Sequence, residues 1–400
     1  MRILLVGAGG VGGAVVRIAA RRDFFERMVV ADYDPGRATA AVDAVADPRF
    51  TAVRVDASHE ADVVALLAEH RCDVLLNATD PRFVMPLFRA ALTAGSHYLD
   101  MAMSLSRPHP ERPYEECGVK LGDEQFALAG PWRDGGRLAL LGMGVEPGLS
   151  DVFARYAADE LFDGIVEIGV RDGADLVVEG LDFAPAFSIW TMIEECLNPP
   201  VVYESDRRWF TTPPFSEPEV FDFPEGIGPL ECVNVEHEEV LLIPRRIDAK
   251  RVTFKYGLGD EVIETLKTLH RLGLDGTGKV RVGGVEVAPR DVVAACLPDP
   301  ATLGERMTGR TCAGTWVKGT KDGVPREVYL YHVVDNQWSM REYGAQAVVW
   351  QTAINPVVAM ELMAAGAWSG SGVLGPEELP PVPFLDLLTA YGSPWRLREH

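Results

Sequence analysis

Three glycines at fixed spacing, Gly7, Gly9 and Gly12, follow a short apolar run and precede a stretch with helical periodicity. This Gly-x-Gly-x-x-Gly pattern lets the backbone turn tightly and approach a pyrophosphate, while the following helix offers free N–H groups to the phosphates. Asp32 lies 20 residues after Gly12, at the end of the second apolar run, where a carboxylate binds ribose hydroxyls. We predict a dinucleotide site here, with Gly10 and Val11 also contacting the cofactor. The alternative is that the glycines serve only a turn.

The residues beside the loop bear on the choice of cofactor. The carboxylate of Asp32 would accept hydrogen bonds from ribose and repel a 2′-phosphate, whereas Arg37 could pair with a phosphate. NAD is therefore the preferred cofactor, and NADP is the alternative. Asp56 and Ala57 end the third strand-like run, where Asp56 could cap the adenine or serve only as an acid at a helix N-terminus.

The elements that must position this loop alternate between strand and helix. The sequence predicts helices at 13–21, 34–46, 59–70 and 86–95, and strands at 2–6, 28–32, 50–57, 72–78, 97–102 and 138–144. Such alternation is typical of an α/β fold with a doubly wound parallel sheet. Asn77 and Ala78 end the fourth strand, at the carboxyl edge where the nicotinamide half of the cofactor should lie.

The chain changes character after Pro147. Longer strand-like runs at 165–172, 230–244, 251–259 and 326–335, with an amphipathic helix at 260–274, indicate an α+β domain with a mixed, mostly antiparallel sheet. From Gly344 the chain is helical again, with a predicted surface loop at 369–381.

Composition excludes several classes of partner. The chain of 400 residues has a net charge of −21, so it should repel nucleic acid and anionic lipid. No apolar run reaches the roughly 20 residues of a membrane span. The first residues lack the apolar core of a signal peptide, and the six cysteines are scattered without a CxxC pair. We expect a cytoplasmic protein.

Several segments of the second half resemble one enzyme family. The similar segments are 142–162, which contains GVEPG, 187–204, 282–304, 321–335 and 359–388. They resemble the saccharopine reductase-like family, which includes saccharopine reductase, lysine 6-dehydrogenase and carboxynorspermidine dehydrogenase. The resemblance implies a Rossmann domain over 1–145 completed by helices of 344–400, an inserted substrate-binding and dimerisation domain over 146–343, and a homodimer.

The family resemblance also implies the chemistry, which is NAD(P)-dependent oxidation of an amine carbon or reduction of an imine. Asp32 and the GVEPG turn favour the lysine 6-dehydrogenase branch. The carboxynorspermidine branch tends to have a Thr-Gly-Val-Pro turn where this chain reads QTAINPVV at 351–358.

Family positions indicate further site residues. Asp100 and Met101 match cofactor contacts near the nicotinamide. Positions that match substrate contacts are Asp80, Glu146, Ser188 and Trp190. For three of these a structural role is the alternative, since Glu146 could be a turn residue, Ser188 a helix cap and Trp190 a core aromatic.

Amine oxidation requires a proton carrier with a pKa near the working pH. His237 lies in VEHEEV (235–240), where strand alternation would place His237 and Glu239 on one face and Glu238 on the other. His237 is the first candidate, with a surface histidine as its alternative, and Tyr256 or Lys255 could also serve. No other His or Cys stands at ligand spacing, so no metal site is predicted. A substrate α-carboxylate could be bound by Arg82, Arg171 or Arg245.

The leading prediction is therefore an NAD(P)-dependent oxidoreductase acting on the C–N bond of an amino acid. One alternative is a non-catalytic NAD-binding scaffold or sensor. Another is an imine reductase of the carboxynorspermidine dehydrogenase type in polyamine synthesis. A carbon–oxygen dehydrogenase is disfavoured because no tyrosine is followed four residues later by lysine.

Overall fold

Three neighbouring strands of the first half, at 2–6, 27–32 and 74–77, consist mainly of continuous buried apolar residues rather than alternating ones, as a parallel sheet covered on both faces requires. We describe a computed structural model, which covers residues 1–181, 183 and 188–400. The strands are β1 Arg2–Val6, β2 Arg27–Asp32, β3 Phe50–Arg54, β4 Val74–Asn77, β5 His97–Leu99 and β6 Leu138–Leu140. The helices are α1 Gly10–Ala19, α2 Pro35–Asp43, α3 Glu60–His70, α4 Val84–Ala94, α5 Asp123–Phe126 and α6 Ala129–Asp134.

This parallel sheet has the order β3-β2-β1-β4-β5-β6, so the direction of winding reverses between β1 and β4. The predicted α/β fold is confirmed, although the first helix begins at Gly10 instead of residue 13. Ligands of such sheets bind at the carboxyl ends of the strands, where the winding reverses. The glycine loop after β1 and Asn77 at the end of β4 both lie at that position.

The second domain contains a mixed sheet. Its elements are α7 Leu149–Tyr156, β7 Gly164–Ala174, β8 Val177–Val178, α8 Ile189–Leu197, β9 Val201–Glu204, β10 Arg208–Thr211, β11 Glu219–Phe223, β12 Gly228–Asn234, α9 Glu239–Leu242, β13 Ala249–Gly257, α10 Asp260–Arg271, β14 Val280–Val282, β15 Val285–Val287, α11 Pro289–Cys296, β16 Met307–Thr308, β17 Arg310–Lys321 and β18 Val324–Asp335. Strand β13 pairs parallel with β7, while β17 pairs antiparallel with β7 and β18. The predicted mixed, mostly antiparallel sheet is confirmed. Phe187, part of the segment 187–204, lies outside the described residues.

The C-terminal part of the chain contributes one strand to each of the two sheets. Its elements are α12 Asn336–Tyr343, α13 Ala347–Ala364, β19 Gly372–Leu374, α14 Pro381–Ala390 and β20 Arg396–Glu399. Helix α13 packs against α1 and α14. The predicted loop at 369–381 is wrong in part, because β19 pairs with β6 and extends the first sheet. The assignment of 344–400 to the first domain also needs correction, because β20 pairs with β18 in the second sheet.

One helix in the described part of the chain, α13, is long and apolar enough to cross a membrane by length and composition. It is 72% buried within the protein. Its contacts with α1 and α14 account for its apolar residues.

Candidate active site

The glycine loop leaves room for a ligand at one of its three glycines. Gly7 has a φ of +100°, and a Cβ there would lie 2.4 Å from the carbonyl oxygen of Ala78. A Cβ on Gly12 would lie 1.9 Å from the carbonyl oxygen of Gly7. A Cβ on Gly9, in contrast, would meet no atom within 4 Å and would point into open space. Gly7 and Gly12 therefore permit the turn, and Gly9 provides the cradle that a pyrophosphate needs.

Asp32 holds the same loop. Its carboxylate is 6% exposed and accepts hydrogen bonds from the backbone N–H groups of Ala8, at 2.8 Å, and Asp34, at 2.9 Å. Two of its lone pairs are used in this way, and others remain for ribose hydroxyls. The geometry thus fits a dinucleotide and adds a structural role that the sequence did not predict.

Two cavities meet at Gly9 and Arg37, which line both. The smaller, about 450 Å³, lies over the glycine loop and includes Gly10, Arg17 and residues at the N-terminus of α13. The larger, about 650 Å³, lies between the carboxyl edge of the first sheet and the second domain. Together they form a path from the loop to the interdomain cleft.

The large cavity brings together most of the predicted site. The predicted residues that line it are Gly9, Val11, Arg37, Asn77, Ala78, Asp80, Asp100, Met101, Glu146, Ser188 and His237. Three predicted residues line neither cavity and instead hold the conformation of the glycine loop, namely Gly7, Gly12 and Asp32. Asp56 and Ala57 line neither cavity, and the Asp56 carboxylate accepts hydrogen bonds from the N–H and hydroxyl of Ser58. The Asp56 carboxylate thus holds a turn shortly before α3, which is close to the alternative of an acid at a helix N-terminus, and its contact with adenine stays a prediction.

Two polar side chains fix the edge of the first sheet. Asn77 donates to the hydroxyl of Tyr98 at 3.1 Å. Asp100 accepts from Gly142 N–H at 2.7 Å and from Gln125 Nε2 at 2.8 Å, while burial raises the pKa of Asp100 to about 7. Asp100 thereby ties the end of β5 to the end of β6 beside the cavity.

Asp80 and Ser188 reach the cavity from opposite domains. Asp80 pairs with Arg82 through a 2.8 Å hydrogen bond from Nε, and Ser188 accepts from Thr191 N–H as the cap of α8. Trp190 does not line the cavity. It is 7% exposed, with the Arg82 guanidinium carbon 4.7 Å from its ring centroid, so the structure favours a buried aromatic role.

The other two arginine candidates for a substrate carboxylate lie elsewhere. Arg171 is buried and paired with Glu219, and Arg245 stacks over Phe126 at 3.7 Å. Lys255 also pairs with Glu219, at 2.7 Å, and does not line the cavity. Of the three arginines only Arg82 adjoins the cavity, through its partner Asp80.

Glu146 forms a carboxyl pair across the domain boundary. It lies between β6 and α7, and its side chain hydrogen-bonds to that of Asp172 on β7. Tyr256, beside Asp172 in the parallel register of β13 and β7, hydrogen-bonds to the same carboxyl group. Two carboxyl groups can share a hydrogen bond only when one carries a proton. Burial and the neighbouring acid accordingly raise the pKa of Glu146 well above its usual value.

His237 lies in a buried acidic cluster, and the predicted strand over 235–240 is wrong. Strand β12 ends at Asn234, and α9 begins at Glu239. Residues 235–238 leave the sheet, where the N–H of Glu236 bonds to the carbonyl oxygen of Glu195. His237 is 3% exposed, so the alternative of a surface histidine is also wrong.

The imidazole of His237 is tightly held. Its Nδ1 lies 2.5 Å from Glu239 Oε2 and 3.5 Å from Glu238 Oε2, and its ring stacks on Phe254 at 3.8 Å. Burial alone would lower the pKa of His237, but Glu239 and Glu238 raise it to about 10. The ring is therefore a cation at neutral pH. Its positive charge offsets the negative charges of the neighbouring carboxylates, and its high pKa makes it a poor proton carrier near neutral pH.

Three side chains of this cluster are also close enough to share a metal ion. One ligand atom from each of His237, Glu238 and Glu239 lies within 4.8 Å of the others. A metal ion would have to displace the proton that Glu239 and Glu238 stabilise on His237. The absence of a metal site stays a prediction.

Sequence reasoning missed two acids of the cavity, Asp172 and Glu195. Asp172 lies beside Tyr256 only because β7 and β13 pair in parallel, which no local pattern indicates. Glu195 lines the cavity from α8, whereas the neighbouring Glu194 does not line it and pairs with the buried Arg290. Only the tertiary contacts distinguish these two neighbouring glutamates.

The loop geometry gives a prediction with a matched pair of variants. Gly9→Ala should weaken NAD(P) binding by about tenfold or more, because the methyl group fills the pyrophosphate cradle. It should leave the melting temperature nearly unchanged. Gly12→Ala should lower both affinity and melting temperature, because its Cβ collides with Gly7. Calorimetric titration and thermal melting measure the two effects, and equal loss of stability in both variants would contradict this assignment.

Comparisons with known proteins agree with this geometry. Two family models match, the saccharopine dehydrogenase NADP binding domain over residues 3–140 and the saccharopine dehydrogenase C-terminal domain over 144–393. The chain is 30% identical to carboxynorspermidine synthase of Vibrio alginolyticus, covering 100% of this chain and 97% of that protein. It is 30% identical to carboxyaminopropylagmatine dehydrogenase of a Synechocystis species, covering 98% and 96%.

A solved structure shows the same fold. Saccharopine dehydrogenase (L-Glu forming) from Saccharomyces cerevisiae matches with a TM-score of 0.71 at 14% identity, covering 100% of this chain and 99% of that one. The family resemblance in the sequence is therefore confirmed. The chain belongs to the saccharopine dehydrogenase family, whose members are NAD(P)-dependent oxidoreductases acting on carbon–nitrogen bonds.

Proposed function

We propose that this protein reduces an imine to a secondary amine that joins an amino-acid group to a polycationic amine, or catalyses the reverse oxidation. This proposal rests on the acidic residues that line the large cavity. Among the described residues, the acids that line it are Asp80, Asp100, Glu146, Asp172, Glu195 and Glu238. The basic residues within the same described lining are Arg37, beside the glycine loop, and the buried His237.

Such a cavity attracts cations and repels anions. An amine arm with several positive charges fits it better than a substrate rich in carboxylates. The names of the two curated relatives, carboxynorspermidine synthase and carboxyaminopropylagmatine dehydrogenase, describe products or substrates of this kind. The lysine 6-dehydrogenase branch, which the sequence favoured, is not confirmed by these relatives.

The hydride, the proton and the positioning of the cofactor would come from different groups at the site. When NAD(P)H is bound, the hydride for the imine carbon would come from its nicotinamide ring. The proton shared by Glu146 and Asp172 can pass to the imine nitrogen before hydride transfer, which leaves the carboxyl pair as counter-ion to the iminium cation. Addition of the hydride to the iminium carbon then gives the neutral secondary amine. Asn77 and Asp100 hold the sheet edge against which the nicotinamide would lie, and water restores the proton to the pair. NAD is the proposed cofactor, on the basis of Asp32.

A homodimer and a cytoplasmic location belong to the same proposal. They rest on the family resemblance and on the composition of the chain.

A panel of substrates tests the function. We expect the protein to oxidise NADH or NADPH with imines formed in situ from 2-amino-4-oxobutanoate, the aldehyde that carries the carboxyaminopropyl group, and a diamine or agmatine. Absorbance at the nicotinamide band measures the rate. Calorimetric cofactor binding with no turnover across amines, lysine and opines would instead favour the non-catalytic scaffold.

Glu146→Gln tests the proton carrier. The amide side chain of this variant keeps the shape and can donate to Asp172 but cannot release a proton, so kcat for imine reduction should fall by about 10²- to 10⁴-fold. The wild-type rate should fall as pH rises through the raised pKa of the pair, whereas the variant should lose this alkaline limb. Glu160→Gln, which removes an exposed carboxylate, should behave as wild type. An unchanged pH profile in Glu146→Gln would overturn this role.

Asp32→Ala tests the cofactor preference. Loss of the carboxylate should weaken NAD by about 10- to 100-fold, as expected for charge-assisted hydrogen bonds, and should weaken NADP less because repulsion of the 2′-phosphate also disappears. Binding constants for both cofactors measure this. Asp34→Ala, which removes the neighbouring cap of α2, is the control and should not change the ratio. Equal weakening of NAD and NADP would refute the placement of Asp32 at the ribose.

A further inference from the structure

Glu195 differs from the other acids of the cavity in its hydrogen bonding. Asp80 pairs with Arg82, and Asp100 accepts from Gly142 and Gln125. The Glu195 atom Oε2 is buried and has no hydrogen-bond partner within the described part of the chain. A buried oxygen without a partner is costly in free energy, and in a ligand cavity the ligand can supply the missing partner.

Each of the remaining acids of the cavity makes at least one side-chain hydrogen bond within the protein, although Oε1 of Glu146 is also buried without a partner among the described residues. Glu146 and Asp172 hydrogen-bond to each other, and Glu238 accepts from the N–H of Met103 at 3.0 Å. Glu195 differs from Glu146 because no side-chain hydrogen bond to its carboxyl group is described that would offset the unpartnered oxygen, so a ligand can supply one.

The surroundings of Glu195 indicate the charge of that partner. Burial raises the pKa of Glu195 to about 8, and the nearby carboxylates of Glu238 and Glu239 act in the same direction, against the effect of His237. A substrate carboxylate would add another negative charge to this cluster. An ammonium or guanidinium group would instead relieve it and supply hydrogen-bond donors.

The shape of the wall fits an alkyl arm. Met192 on α8 lines the cavity one turn before Glu195, and Leu258 and Val262 line it from the end of β13 and from α10. These apolar side chains can cover methylene groups that lead to a terminal cation.

We propose that Glu195 binds the distal cationic group of the substrate's amine arm and thereby selects diamines over monoamines. This inference rests on the proposed function for its substrate and names the residue that sets the selectivity. Glu195 is a specificity residue rather than a proton carrier.

The test separates binding from turnover. Calorimetric titration compares 1,3-diaminopropane with propylamine on the full-length protein with NAD present. We expect wild type to bind the diamine about 10- to 100-fold more tightly, the range of one charge-assisted hydrogen bond. Glu195→Gln should lose this preference while its affinity for propylamine stays the same.

Two further variants control the result. Glu261→Gln removes an exposed carboxylate from α10 and should keep the wild-type preference. Glu195→Asp retains the charge and should keep part of the preference, which guards against a general effect on folding. Retention of the full diamine preference in Glu195→Gln, or no preference in wild type, would overturn the inference.

Turnover distinguishes this inference from the proposed function. The imines that 2-amino-4-oxobutanoate forms with 1,3-diaminopropane and with propylamine are compared as substrates. Wild type should have the higher kcat/KM for the imine of the diamine, and Glu195→Gln should lose this difference. Diamine-selective binding without turnover would support the role of Glu195 and contradict the proposed reaction. Turnover of both imines without selectivity would support the reaction and contradict the role of Glu195.

Discussion

Several carboxyl groups line the interdomain cavity together with one imidazole ring, and because all of them are buried or half-buried, each negative charge raises the free energy of the others. The protein limits the cost in three ways. His237 remains a cation among Glu238 and Glu239. Glu146 and Asp172 share a proton, and Asp100 accepts hydrogen bonds from neutral donors. The buried Oε2 of Glu195 has no hydrogen-bond partner in the described part of the chain, and a ligand with a positively charged donor group would supply one.

This charge arrangement exists only because both domains contribute to it. The first sheet places Asn77 and Asp100 at its carboxyl edge, beside the glycine loop. The second sheet places Asp172 and Tyr256 on neighbouring parallel strands. Glu146 lies on the connection between them, so the proton-bearing pair spans the boundary and depends on the relative position of the two sheets. A cofactor bound at the first sheet would therefore lie against the acidic wall of the cavity.

The sequence allowed prediction of features that are local. The glycine spacing, the acid after β2 and the alternation of strand and helix each depend on neighbouring residues, and the α/β fold follows from them. The failures involve distant contacts. The strand β19 forms because Gly372–Leu374 meets β6, and His237 leaves the sheet where Glu236 bonds to Glu195. No periodicity in VEHEEV or in residues 369–381 encodes those partners.

Asp32 shows why a local motif can combine two functions that mutation cannot easily separate. The carboxylate that would distinguish ribose from its 2′-phosphate also holds the N–H groups of Ala8 and Asp34. A neutral replacement would therefore change the cofactor preference and also loosen the loop whose Gly9 would face the pyrophosphate. A change of cofactor in this protein would require a new acceptor for the Ala8 N–H as well as a cation for the phosphate. Arg37 already lines both cavities at that point and could serve as the second of these.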